Sequence, residues 1–284
     1  MPVNYRLGRA RAIRSLGSFA TRFQALRASS DYEIYFNSMN TDDASITSKS
    51  KSTDDENLFS ESIVTGIQRN PYAAWEWGMI NRVAQNYDRA AEIHRLAAIA
   101  FEEIGDKPRS VICALDGGLD LALGLDSSSA GDTQVSRRRE TNDKLAMVSL
   151  TLEDAIQRDV NVEGRDVELL QRLVAKEGEA RVALAGVLWN NKQTGAAESQ
   201  YGTACSRLDE LNADYQAREE ERVKKGRILP PKPRGAALGY SIDDIVGAEE
   251  ASCSRFKNDR FIEEKLVWNE SLQKMVKKFL TLSR

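Results

Sequence analysis

A pattern of small and aromatic residues occurs twice in this chain, more than a hundred residues apart, and it restricts the fold more than any other feature. The first copy runs from Trp77 and Gly78 through Tyr87, Ala90 and Ala97; the second runs from Ala185 and Gly186 through Trp189, Ala197, Tyr201 and Ala204. This spacing predicts a helix hairpin. Gly78 with Ala90, and Gly186 with Ala197, fall on the inner faces of two antiparallel helices, where a minimal side chain lets the backbones approach, while Tyr87 or Trp189 fills the crevice beside them. Such a pair cannot bury its apolar face alone and must stack on neighbours.

The rest of the chain keeps the helical rhythm. Asn70 and Pro71 open a helix to about residue 85, the Asn as cap and the Pro in the first turn. Its partner follows Asn86, carries Ala90, Ile93, Ala97, Ile99 and Ile104 as a stripe, and stops at Gly105. Asp106 and Pro108 restart a helix whose apolar positions are Val111, Ile112, Leu115, Leu119, Ala122 and Leu123. After a break at 125–133, Leu145, Val148, Leu152, Ala155 and Ile156 mark another, and long helices are expected over 165–190 and from Thr194 to about residue 226. Few β-branched residues alternate, so the expected fold class is all-α, built from antiparallel helix hairpins. Three prolines in four residues within 228–235 set a boundary, giving a linker over 227–239 and a C-terminal segment, 240–284, that either caps the helical stack or binds a partner.

Charge is distributed unevenly. Residues 1–30 carry Arg6, Arg9, Arg11, Arg14, Arg22 and Arg27 with no acid, so the overall charge of −3 leaves −9 on residues 31–284. An acid-free, Arg-rich start has the composition of an organelle transit peptide, with a basic tail as the alternative. Residues 31–69, dominated by Ser, Thr, Asp and Asn up to residue 60, are expected to be a disordered linker. No apolar run approaches the ~20 residues of a membrane span. Cys113, Cys205 and Cys253 are widely separated and form no C-x-x-C pair. With one histidine they exclude a structural zinc site, and a reduced compartment with buried cysteines is the simplest expectation.

Catalytic groups are sparse. His94, the single histidine, falls between Ala90 and Ala97 on a buried stripe, where its ring is expected to pack into the hairpin. Asp116 precedes Gly117 and Gly118 without a strand or a phosphate loop, so no nucleotide site follows. No cofactor, metal or catalytic residue is assigned. Trp75 and Trp77, two positions apart, diverge by ~200° on a helix, which predicts that one packs in the hairpin while the other is covered by the tail or exposed as a binding anchor.

Taken together, these residues resemble the tetratricopeptide repeat, with the motif W-x2-LG-x2-Y followed by spaced Ala, a bulky residue and Ala. Trp77-Gly78 stands at the LG position and Tyr87, Ala90 and Ala97 follow; Gly186, Trp189, Ala197, Tyr201 and Ala204 form the second copy. The likeness extends over 70–226, and NPYAAWEWG, EEIGDKPRS and VEGRDVELLQRLVAKEGEARVALAGVLWNN are similar to plastid tetratricopeptide-repeat-like proteins of plants and algae. The resemblance implies a short TPR-like α-solenoid with a C-terminal cap. It also implies a non-enzymatic protein-binding scaffold assisting assembly or maintenance of a chloroplast complex, with the mitochondrion as the alternative location. Asn81 and Arg82 stand on the first helix, where family members that bind chaperone tails place clamp residues; with Trp75 they are the candidate partner-binding positions, although no matching Lys/Arg pair recurs later. An RNA-associated repeat protein is the alternative function, disfavoured by the −9 of residues 31–284, so no nucleic-acid partner is expected.

Overall fold

In the computed structural model, residues 3–16, 20–39, 59–126, 134–159, 167–224, 252–264 and 266–282 are described, and every regular element among them is helical. In chain order these are α1 (Val3–Arg14), α2 (Arg22–Ser38), α3 (Glu61–Arg69), α4 (Pro71–Val83), α5 (Tyr87–Glu103), α6 (Lys107–Leu123), α7 (Gln134–Asp159), α8 (Val167–Asn190), α9 (Thr194–Lys224), α10 (Asp259–Glu264) and α11 (Glu270–Leu282). Short 3₁₀ turns occupy Gly124–Asp126 and Cys253–Lys257.

Local chemistry sets the ends of the central helices. The Asn70 side chain accepts a hydrogen bond from the Ala73 N–H, and Pro71 takes a first-turn position where its missing N–H costs nothing. Gly105, at φ +79°, ends the α5–α6 turn in the left-handed region, and Asp106 accepts from the Arg109 N–H to start α6. The stripe expected on α7, Leu145, Val148, Leu152, Ala155 and Ile156, is buried throughout. On α5 the stripe departs from expectation, because Ile99 and Ile104 are exposed.

Consecutive helices pack as neighbours from α4 to α9, and α6 also packs on α8. The two small-residue copies do different work in this stack. A Cβ on Gly78 would fall inside the His94 ring, so the glycine makes room for its own hairpin partner. On Gly186 a Cβ would lie 2.7 Å from Val276 Cγ2 and 3.1 Å from the Val276 nitrogen, so this glycine faces α11 and not, as the repeat spacing suggested, its hairpin partner α9. Trp189 and Tyr201 likewise meet Phe279 of α11, with ring centroids 5.4 and 5.2 Å away. Replacing Gly78 with alanine is therefore expected to cost about 1–3 kcal/mol in urea unfolding, through displacement of a ring that has no free volume around it.

Within residues 1–30 the arginines of α1 find partners on other helices: Arg9 holds the buried Asp31 through two hydrogen bonds of 2.6 and 2.7 Å, and Arg11 holds Glu76 of α4 at 2.8 Å. Two sequence expectations are corrected by the structure. The disordered linker placed at 31–69 is helical at both ends, since α2 runs to Ser38 and α3 begins at Glu61. Cys205 and Cys253 form a disulfide that ties the C-terminal segment to α9, whereas Cys113 is buried on α6. Of the break expected at 125–133, residues 127–133 lie outside the described residues, as does the proline-rich linker at 227–239.

Candidate functional site

None of the three candidate partner-binding residues reaches the surface. Trp75, Asn81 and Arg82 are all buried, because α4 is covered on two sides. Toward α2, the Trp77 indole N–H donates to Ser29 Oγ at 3.0 Å, Ser29 donates to Asn81 Oδ1 at 3.1 Å, and the Asn81 amide donates to the Trp77 carbonyl at 2.9 Å. Phe36 of α2 stacks on the Trp77 ring at 5.3 Å. On the opposite side Trp75 meets Phe101 of α5 edge-on and donates to Asp116 Oδ2 of α6 at 3.1 Å. The two tryptophans do diverge, as their spacing requires, but each diverges into a core.

Arg82 is the centre of a buried charge cluster. Its Nε donates to Asp120 Oδ1, and its Nη2 donates to the Asp116 carbonyl at 2.9 Å and to Asp116 Oδ1 at 3.0 Å. Asp116 and Asp120, one turn apart on α6, face the same way and are both reached by one guanidinium. Lys176 of α8 approaches Asp116 Oδ1 at 3.3 Å and donates to Glu179 Oε2 at 2.7 Å, and Glu179 in turn accepts from the Trp268 indole at 3.2 Å. One polar chain thus joins α4, α6, α8 and the C-terminal segment. Burial would raise the Asp116 carboxyl, yet Lys176 and then Arg82 hold it well below the usual carboxylate range. Burial would lower Arg82, but Asp120 and Asp116 keep it above its ordinary value, so it stays charged.

His94 belongs to the same cluster. Its Nδ1 lies 2.6 Å from Asp120 Oδ2, and its Nε2, buried and without a hydrogen-bond partner, is turned toward Gly78. A His–Asp pair of this kind can orient an imidazole for proton transfer, but here the second nitrogen is covered by the α4 backbone. The ring packs in the hairpin, as its position between Ala90 and Ala97 predicts, and it also carries a hydrogen bond that the spacing did not reveal. A signal was present in LDGGLDLAL, where two acids four apart share an apolar helix and therefore need buried cations.

Among the described residues, an open groove lies on the far side of α6. This groove of about 440 Å³ runs over Ala114, Gly117 and Gly118, walled by Ala91, Ala98 and Ile99 of α5 and Ala155 of α7. Its rims are charged but internally paired, Arg95 with Glu92 at 2.7 Å and Arg158 with Asp154 at 2.8 Å. α5 and α7 run parallel on either side of α6, and the groove leads at their amino-terminal end into a smaller opening lined by Asp88, Leu121, Lys144 and Met147. Among the described residues no three His, Cys, Asp or Glu side chains are placed to hold a metal, and no helix is long and apolar enough to cross a membrane. No protein-family model, curated protein or solved structure matches the chain.

Proposed function

We propose that this chain is a non-catalytic, TPR-like helical scaffold that holds a helical or extended segment of another protein in the groove over α6. The groove itself carries the reading: its floor of Ala and Gly leaves backbone-wide space between two parallel helices, and Ile99 stands 41% exposed inside it. A solvent-facing apolar side chain in a concave channel contributes most when a partner covers it. α4, α6 and α8 are linked by one charge cluster that ends at Trp268 just before α11, and α11 packs on α8, which supports a solenoid with α11 at its end. The burial of His94 favours a scaffold over an enzyme, because no substrate reaches its free nitrogen.

The test is co-purification of partners with the wild-type chain and with Ala114→Trp, which fills the groove from its floor. The variant is expected to keep its helical circular dichroism and lose the partner set. Retention of the same partners at the same yield would overturn the proposal.

A further inference from the structure

Half of the exposed large apolar side chains among the described residues belong to one hairpin: Tyr5 on α1, Leu16 in the turn just after it, and Phe23, Leu26 and Ile34 on α2. Phe23 is 75% exposed and Tyr5 is 57% exposed. They share a face. On α1, Tyr5 and Ala12 lie opposite the buried Ala10 and Arg14, and the exposed Leu16 follows in the turn; on α2, Phe23, Ser30 and Ile34 lie opposite the buried Ala25, Ser29, Tyr32 and Phe36. Both faces therefore turn away from α4. The Arg9–Asp31 pair fixes the antiparallel register, setting Tyr5 near Ile34 at one end and Leu16 near Phe23 at the other.

Between these bulky ends lie Gly8, Ala12 and Ser30, and a Cβ added to Gly8 would meet nothing within 4 Å. The face is a saddle whose middle a rod-like ligand can enter. Its exposed charge is positive: Arg11 and Arg14 turn to Glu76 and Arg22 to the Ala84 carbonyl on the α4 side, which leaves Arg27 as the charge beside the face. Asp31 is already shared by Arg6 and Arg9, and Glu33 is held by Arg89 at 2.9 Å. Among the described residues no carboxylate lies within ion-pairing distance of Arg27, which is exposed on the side of α2 that faces α1.

We propose that the outer face of the α1–α2 hairpin docks an acidic amphipathic helix of a partner protein. Apolar side chains of that helix seat between the Tyr5–Ile34 and Leu16–Phe23 ends, and a carboxylate meets Arg27. A second copy of this chain fits less well, because pairing the face with itself sets arginine against arginine. A bilayer fits less well too, since a plane touches the bulky ends and leaves Gly8, Ala12 and Ser30 uncovered. The surface is separate from the groove over α6.

The test uses the full chain and two fluorescent synthetic helices, one with Leu on one face and Glu on the other, the second identical except for Lys in place of every Glu. The Glu helix is expected to bind about tenfold more tightly than the Lys helix. Arg27→Glu is expected to abolish that preference, Phe23→Ser to weaken binding about tenfold, and Ala114→Trp in the α6 groove to leave it unchanged. Both face variants replace exposed side chains and are expected to retain the wild-type circular dichroism. Equal binding of the two helices, indifference to Arg27→Glu, capture of anionic phosphatidylserine vesicles in place of the helix, or a dimer lost with Arg27→Glu would each overturn the proposal.

Discussion

Replacing Arg82 with methionine is expected to lower the unfolding free energy by about 3–5 kcal/mol, because the change leaves Asp116 and Asp120 buried without their shared cation. That is a large part of the 5–15 kcal/mol that holds an ordinary domain together. Urea unfolding followed by circular dichroism measures it, and a loss below about 1 kcal/mol would show that the two carboxylates find other partners. Acid provides an independent reading of the same cluster. Asp116 is held below its unfolded value of about 3.9, so its contribution to stability is complete above that pH and fades as pH falls through the folded value. The stability gap between wild type and Asp116→Asn is therefore expected to be constant near neutral pH and to narrow below about pH 4.

The second large effect concerns the other end of the molecule. Cys205 and Cys253 are 48 residues apart, and closing a loop of that size in the unfolded chain is worth about 4 kcal/mol by the chain-entropy account. Reduction with dithiothreitol, or Cys205→Ser, is expected to lower the melting temperature by about 10 °C. The loss is expected first in the C-terminal segment, where Phe256 stacks on Trp268 at 6.0 Å and Arg255 donates to the Ala175 carbonyl at 2.9 Å. Tryptophan fluorescence and thermal scans with and without reductant test this together. Identical melting under both conditions would refute it.

The centre of the fold was legible because its signals are local. Asn70, Gly105 and Asp106 act on backbone groups within a few residues, so the ends of α4, α5 and α6 follow from the chain itself. Side-chain destinations were less legible. Trp75 and Trp77 cannot share one core, and on a helix with a single buried face one of them would reach the surface. In the stack α4 has two, so the candidate binding residues Trp75, Asn81 and Arg82 became interior ones. The ion pairs of the amino terminus were hidden for a related reason: the acids that meet Arg9 and Arg11, Asp31 and Glu76, arrive from other helices. Nor can spacing reveal that Cys205 meets Cys253, since what joins them is the return of the chain across α8. The groove over α6 leaves only a weak trace, the pair Gly117-Gly118 inside an apolar helix, and Gly118 also serves packing: a Cβ there would lie 2.7 Å from Leu152.

Gly186 has a consequence for synthesis as well as for packing. The backbone notch it creates on α8 is filled by Val276, about ninety residues further along the chain. On a ribosome adding ~5–20 residues per second, α8 is completed several seconds before the helix that covers it has been made. Throughout that interval Trp189 and the notch face water or whatever holds the nascent chain. The α8 notch is thus made long before the residue that fills it, and a chain stopped short of Val276 leaves that notch uncovered.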